Sequence, residues 1–226
     1  NLALRSIVEE KYRLKTFLIN DADAAALGEH RFGVGRGIDT LVLLTLGTGI
    51  GGGIVINGKL YLGATVSAAE IGHMVVDANG PRCACGRNGC LETLASGTAV
   101  AREAISSINR GEKSSLTDIV AGKTETITAE AVYLAAKDGD SLSLESIARA
   151  TYYLGIGVVN LVNIFNPEMV VMGGGMAGMG GLLLDPVADM VKKEAFPLMA
   201  RSVRIVPAQL GNDAGVFGAA AFALEQ

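Results

Sequence analysis

Cysteine and histidine are scarce in this chain, and where they fall matters more than how many there are. Three cysteines occur in 226 residues, all within the eight-residue stretch from Cys83 to Cys90, and one of the only two histidines, His73, lies ten residues ahead of the first. An odd count leaves one thiol over, and Cys83 and Cys85 are too close in sequence to bridge comfortably, which argues against a disulfide framework. Basic clusters are missing too. Lysine and arginine total 19 against 23 acids, for a formal charge of -4, so the surface offers no electrostatic footprint for nucleic acid, and DNA binding would need another segment. No apolar run approaches the roughly 20 residues needed to cross a bilayer, and no signal peptide opens the chain. Thiols clustered for a metal suit a reducing compartment. The expectation is a cytoplasmic protein without membrane or nucleic-acid partners.

What the chain does have is hydrophobic residues, half of the total, and 30 glycines. That apolar content can bury a substantial core in one large domain or two small ones. The glycines gather at 47–53, 86–97 and 173–181, which reads as loops between regular elements rather than low complexity.

Gly86 and Gly89 lie between the cysteines and permit the tight turns that bring three sulfurs to one point. His73 has enough chain after it to fold back as a fourth ligand. Three thiolates and an imidazole are the ligand set of a closed tetrahedral zinc site, with Zn–S bonds of about 2.3 Å. A reactive thiol is the other reading, but it needs one activated sulfur and a base rather than three clustered sulfurs.

From the N-terminus, Leu4, Ile7, Val8 and Tyr12 stand at helical spacing and Thr16 to Ile19 reads as a short strand. Asn20-Asp21-Ala22-Asp23 then leads into an alanine-rich helix over Ala24 to Phe32, where Asn20 or Asp21 taken alone is a helix cap. Thr40 to Leu46 is a β-rich run, followed by Gly47-Thr48-Gly49-Ile50-Gly51-Gly52-Gly53, a strand Ile54 to Ile56, and an Asn57-Gly58 turn into Lys59 to Leu62. Backbone N–H groups in such a glycine-rich bend can approach phosphate, although a tight hairpin with no ligand fits equally well. It is neither the P-loop nor the dinucleotide fingerprint.

An amphipathic helix begins between Glu92 and Asn109, and Thr128 and Asp140 cap two more. The second is long, with Leu144, Ile147, Thr151, Leu154, Val158, Leu161 and Phe165 on one stripe. Core packing is the default for that stripe, a partner subunit the alternative. Pro167 stops it ahead of a strand, Met169 to Met172, that ends in Gly173-Gly174-Gly175. A helix over Leu182 to Phe196, a strand over Val203 to Val206 and a closing helix over Ala214 to Leu224 complete an α/β pattern without repeats or linkers.

The run from Glu70 to Glu92 resembles the signature of the ROK family (repressors, ORFs, kinases): Glu-x-Gly-His and then, ten residues after the His, Cys-x-Cys-Gly-x-x-Gly-Cys-x-Glu, matched here at every position. The family comprises bacterial sugar kinases, glucokinases prominent among them, and sugar-responsive repressors on the same fold. The resemblance implies a ribonuclease H-like, actin-type ATPase fold with two lobes around a cleft. Residues 1–38 and 211–226 would belong to the first, small lobe, and 39–210, with the zinc-binding loop 73–90, to the second.

It further implies that Asp21 is the catalytic base, with Asp23 standing where the family often has Asn. Asn20, Asp21, Glu70, His73 and Glu92 would bind a hexose; Thr48, Gly49, Gly51, Gly173 and Gly174 would bind ATP, used with Mg²⁺; His73, Cys83, Cys85 and Cys90 would hold structural zinc in a homodimer. The implied activity is ATP-dependent phosphorylation of a hexose, glucose to glucose 6-phosphate. The alternatives are a sugar-sensing repressor whose DNA-binding N-terminus is absent, or an inactive sugar-binding fragment. The glycine loops favour the kinase. Family kinases begin with about ninety more residues, including an Asp-x-Gly-Gly-Thr phosphate loop. No such motif occurs here, so the expectation is a chain incomplete for catalysis.

Overall fold

In the computed structural model, which describes residues 2–226, the parallel pair β1 (Leu41–Leu46) and β4 (Met169–Gly173) lies at the centre of one five-stranded sheet. β2 (Ile50–Ile56) pairs antiparallel with β1 and carries β3 (Lys59–Leu60) on its outer side, while β5 (Arg204–Pro207) runs parallel to β4. The order is β3-β2-β1-β4-β5. Residues on β1 and β4 are apolar at every position except Thr45 and Gly173, as strands covered on both faces require.

The two faces have separate cores. Leu41, Leu43, Val55, Met169 and Val171 pack with Ala25, Ala26 and Ala214 on one side, where α2 (Asp21–Phe32) and α10 (Ala214–Leu224) lie. Val42, Leu44, Leu46, Ile54, Val170 and Met172 face the larger core. That core is closed by α3 (Leu91–Ala95), α4 (Gly97–Asn109), α5 (Leu116–Ile119), α6 (Ala129–Lys137), α7 (Ser141–Phe165) and α8 (Gly181–Glu194), with α9 (Pro197–Ser202) beside it. Thr128 and Asp140 cap α6 and α7 through side-chain bonds to Ala131 N–H and Ser143 N–H. Asn166 takes the left-handed conformation that ends α7 ahead of Pro167.

α7 is long and apolar enough to cross a membrane, by length and composition only, which the search for an uninterrupted apolar run does not register. Here it is a core helix: Ile147, Thr151, Leu154, Val158 and Leu161 of the stripe are buried, while Leu144 stands at its exposed margin.

Two expectations need correction. Thr16 to Ile19 is not a strand: among the described residues no neighbour offers it a ladder, and Phe17 packs edge-on against Phe222 instead, ring centroids 6.4 Å apart. The amphipathic helix expected to begin between Glu92 and Asn109 does so at Gly97: the extended backbone of Ser96 ends the short α3, and its hydroxyl accepts from Ala99 N–H to start α4. Gly51, Gly52 and Gly53 lie inside β2 rather than in a loop. α1 (Leu4–Tyr12) forms as its spacing predicts but buries no residue.

Candidate sugar and phosphate site with a metal centre

The glycines of β2 are there for close approach. A Cβ at Gly51 would lie 2.9 Å from the Ala22 Cβ, and one at Gly53 would lie 2.7 Å from the Ala22 carbonyl oxygen, so both admit the first turn of α2. On the opposite face a Cβ at Gly52 would meet the Ala69 carbonyl oxygen at 2.7 Å, so this glycine admits the turn that carries Glu70 to His73. Strand alternation thus seats α2 and the 70–73 turn on either side of one short strand.

Asn20 is the N-cap of α2: its Oδ1 accepts from Ala22 N–H at 2.9 Å and Asp23 N–H at 3.3 Å. The helix-cap reading therefore holds for Asn20, and its amide NH₂ has no partner among the described residues. Asp21 begins the helix at the surface, with Oδ1 accepting from Ala22 N–H. Asp23 is buried, and its Oδ1 has no hydrogen-bond partner. Burial first, then the Glu70 and Asp21 carboxylates, makes it a weaker acid and pushes its pKa up to about 6. The charges of Asp21 and Glu70 thus both act on Asp23, Glu70 from 47 residues further along the chain.

The candidate metal site is assembled by backbone pairing. Leu91 N–H donates to Met74 O and Val76 N–H to Gly89 O, which lays the segment after His73 along the one leading into Cys90. Cys83 N–H donates to Arg87 O at 2.7 Å and Gly86 N–H to Cys83 O at 3.0 Å, folding the knuckle between the cysteines. One ligand atom from each of His73, Cys83, Cys85 and Cys90 lies within 4.8 Å of every other, Cys83 Sγ facing His73 Nδ1 at 3.6 Å and Cys85 Sγ facing Cys90 Sγ at 3.5 Å. A zinc tetrahedron with bonds of about 2.1–2.3 Å has edges of roughly 3.4–3.8 Å, so the residues fit the ion. Nδ1 is the nitrogen on the metal side, which leaves Nε2 for another partner. Hydrogen bonds from Arg87 pull the Cys85 thiol down to about 6, whereas burial pushes Cys90 up to about 12.

The phosphate bend is shorter than its sequence suggests. Gly51 pairs with Thr45 in the β1–β2 ladder, so its expected place in the loop is corrected: its missing side chain serves α2 packing. Gly47-Thr48-Gly49 alone makes the turn, closed by Gly47 N–H to Gly49 O at 2.9 Å. Among the described residues, the N–H groups of Thr48 and Gly49 donate to nothing in the protein. Thr45 also pairs with Gly173 on its other side, so Gly173 and Gly174 end β4 beside the same bend. Both glycine turns and the start of α2 therefore lie at one end of the sheet.

Glu92, in the first turn of α3, turns one oxygen inward: Oε2 accepts from Ile50 N–H at 3.0 Å. Sequence reasoning assigned Glu92 to sugar and missed this bond. It also missed Glu29, fully buried, whose two oxygens accept from Leu210 N–H at 2.7 Å and Val34 N–H at 3.1 Å. Neither backbone partner leaves a trace in residue type or spacing.

The chain is similar in sequence and fold to known proteins. The ROK family model matches residues 1–226. The chain is 42% identical over 216 residues to a glucokinase of Halalkalibacterium halodurans, covering 95% of this chain and 65% of that one. It is 36% identical to a xylose repressor of Caldicellulosiruptor bescii, covering 99% of this chain and 56% of that one. The chain thus spans between about half and two thirds of these relatives. A crystal structure of a ROK glucokinase from Streptomyces griseus, in complex with glucose and AMPPNP, superposes with a TM-score of 0.89 at 37% identity, covering 99% of this chain and 72% of that one. The fold is accordingly the actin-type ATPase fold of the ROK sugar kinases, and with its signature, its sheet and its full-length match to the family model, the chain belongs to the ROK family.

Proposed function

We propose that the intact protein transfers the γ-phosphoryl group of ATP to a hexose hydroxyl, with glucose as the substrate. The observation that carries this is the convergence at one sheet end of a surface carboxylate, Asp21, and a bend with two uncommitted backbone donors, Thr48 and Gly49 N–H. The glucose and AMPPNP bound to the S. griseus structure support the same substrate pair.

Asp21 takes the proton of the attacking sugar hydroxyl at a carboxylate oxygen while the hydroxyl oxygen bonds to the γ-phosphorus; the bond between γ-phosphorus and the bridging oxygen breaks, and ADP leaves. Asn20, through its NH₂, orients the sugar together with Glu70, Glu92 and His73 Nε2, since carboxylates accept from sugar hydroxyls and an amide donates to them. Thr48 and Gly49 N–H, with the Gly173-Gly174 turn opposite, face the phosphates. Mg²⁺ bound with the nucleotide would supply positive charge that neutralises what develops on the phosphates. Zinc on His73, Cys83, Cys85 and Cys90 would be structural, fixing the loop that ends in Glu70 on one side and Glu92 on the other. α2 and α10 would be the remainder of the small lobe, and a cytoplasmic homodimer is the working form that accompanies this reading.

The test is a coupled assay for ADP release with glucose and Mg·ATP, with 6-deoxyglucose as the control that lacks the acceptor hydroxyl. ADP release with glucose alone supports the kinase; equal release with both sugars sinks it. A second reading, a sugar-responsive repressor, is favoured by the match to the xylose repressor. It predicts sugar binding without turnover.

A further inference from the structure

The assignment of Glu92 to the sugar leaves unexplained why one of its oxygens is already committed to the backbone of the phosphate bend. Oε2 accepts from Ile50 N–H at 3.0 Å, and a Cβ on Gly49 would overlap that same oxygen, so the carboxylate lies against the bend. Glu92 is not alone in this. Gly97 N–H donates to Gly47 O at 2.8 Å and Thr98 Oγ1 donates to Thr48 O at 2.7 Å. Both donors come from the break at Ser96 between α3 and α4, so the interruption of the helix is what turns them toward the bend. Three points of the turn, at residues 47, 48 and 50, are thus held by one segment, and that segment starts at Cys90, one of the four candidate metal ligands.

The consequence for the bend is selective. With Gly47 N–H, Gly47 O, Thr48 O and Ile50 N–H all occupied, the N–H groups of Thr48 and Gly49 are the ones left over. Donors held by bonds behind them need no reorganisation when charge arrives, which is where such groups gain their strength. Glu92 Oε1, by contrast, has no partner among the described residues and is only partly buried. One carboxylate therefore has one oxygen on the bend and one open.

We propose that Glu92 is a positioning residue shared between the two substrates, its Oε2 fixing the phosphate bend while Oε1 accepts from a sugar hydroxyl. This rests on the kinase reading for the identity of the two ligands, but the bond to the bend does not. A sugar hydroxyl on Oε1 immobilises the carboxylate and with it the Ile50 bond, so sugar and nucleotide tighten each other's binding. By linkage the effect is the same in both directions. The metal centre then braces both substrates through one residue, because Cys90 and Glu92 are two positions apart.

The experiment uses the intact protein with glucose and a non-hydrolysable Mg·ATP analogue, comparing the parent with Glu92→Gln, Glu92→Ala and Thr98→Val. Amide exchange at Ile50, measured without ligand, should be slow in the parent and in Glu92→Gln, whose amide oxygen still accepts the bond. It should quicken about tenfold or more in Glu92→Ala and on zinc removal. In binding titrations, saturating glucose should tighten the analogue by about fivefold in the parent, and by none in Glu92→Ala. Thr98→Val cuts a different bond to the bend and should weaken the analogue while leaving glucose affinity unchanged. It serves if Glu92→Ala does not fold. Unchanged Ile50 exchange in Glu92→Ala, or unchanged coupling despite faster exchange, overturns the shared role; so does a Thr98→Val variant that binds the analogue as the parent does. Flat glucose titrations would defeat the kinase reading instead, and the ligand-free exchange comparison would still decide whether Glu92 holds the bend.

Discussion

Gly28 on α2 and Gly218 on α10 bring two helix backbones into direct contact: a Cβ built on Gly218 would stand 2.8 Å from the Gly28 nitrogen and overlap the Ala24 carbonyl. No rotamer change relieves a clash with backbone. Gly218→Ala should therefore push α10 off α2 at a cost of about 1–3 kcal/mol or more. A thermal melt checks it, and a midpoint within about 2 °C of the parent would show that the two helices part without penalty.

Glu29 holds two backbone donors 176 residues apart, Val34 N–H and Leu210 N–H. Glu29→Ala strands both in a buried setting and should cost about 2–5 kcal/mol. Glu29→Gln keeps one acceptor oxygen and should lose less than half as much. Urea unfolding distinguishes them; equal losses would mean that packing volume, not bonding, sets the cost.

Asp23 makes stability depend on pH in a predictable sense. Its carboxyl rises from an ordinary 3.8 to about 6 in the folded protein, so the native state holds the proton more tightly than the unfolded chain. The contribution is full below about pH 4 and is lost as pH rises through about 6. Asp23→Asn should flatten that slope and leave the variant up to about 3 kcal/mol more stable than the parent above it. Denaturant curves from about pH 4 to 7 on both proteins provide the check, and parallel pH profiles would show that Asp23 ionises as freely folded as unfolded.

For Asp21, Asp21→Asn preserves shape and hydrogen bonding but cannot take a proton. Turnover of the intact enzyme should fall by about 10²-fold or more, with much smaller change in sugar affinity. Near-normal turnover would leave Asp21 as no more than the first residue of α2.

Zinc content gives the remaining prediction. Protein purified without added metal should carry about one equivalent, and Cys83→Ala should lose metal and sugar binding together, because the loop ending in Glu70 and Glu92 is released. Full sugar affinity in metal-free protein would separate the two sites.

Residue type and spacing were enough to single out His73, Cys83, Cys85 and Cys90 as side chains that the fold brings together, because thiols and imidazole at turn-forming intervals have few other uses. They were also enough for the caps at Thr128 and Asp140, for α7 and α10, and for the α/β alternation, all of which depend on neighbours within a few positions. Spacing could not tell a glycine that binds from a glycine that packs. Gly49 and Gly51 look alike in sequence, yet one bends beside Glu92 and the other pairs with Thr45 beneath α2, because the deciding atoms lie on other elements. Thr16 to Ile19 failed for the same reason: extended backbone becomes strand only when a neighbour supplies the ladder. The motif likewise marks Glu92 without revealing that it holds Ile50. Local chemistry is written along the chain, whereas close approach and shared hydrogen bonds exist only once distant segments have packed.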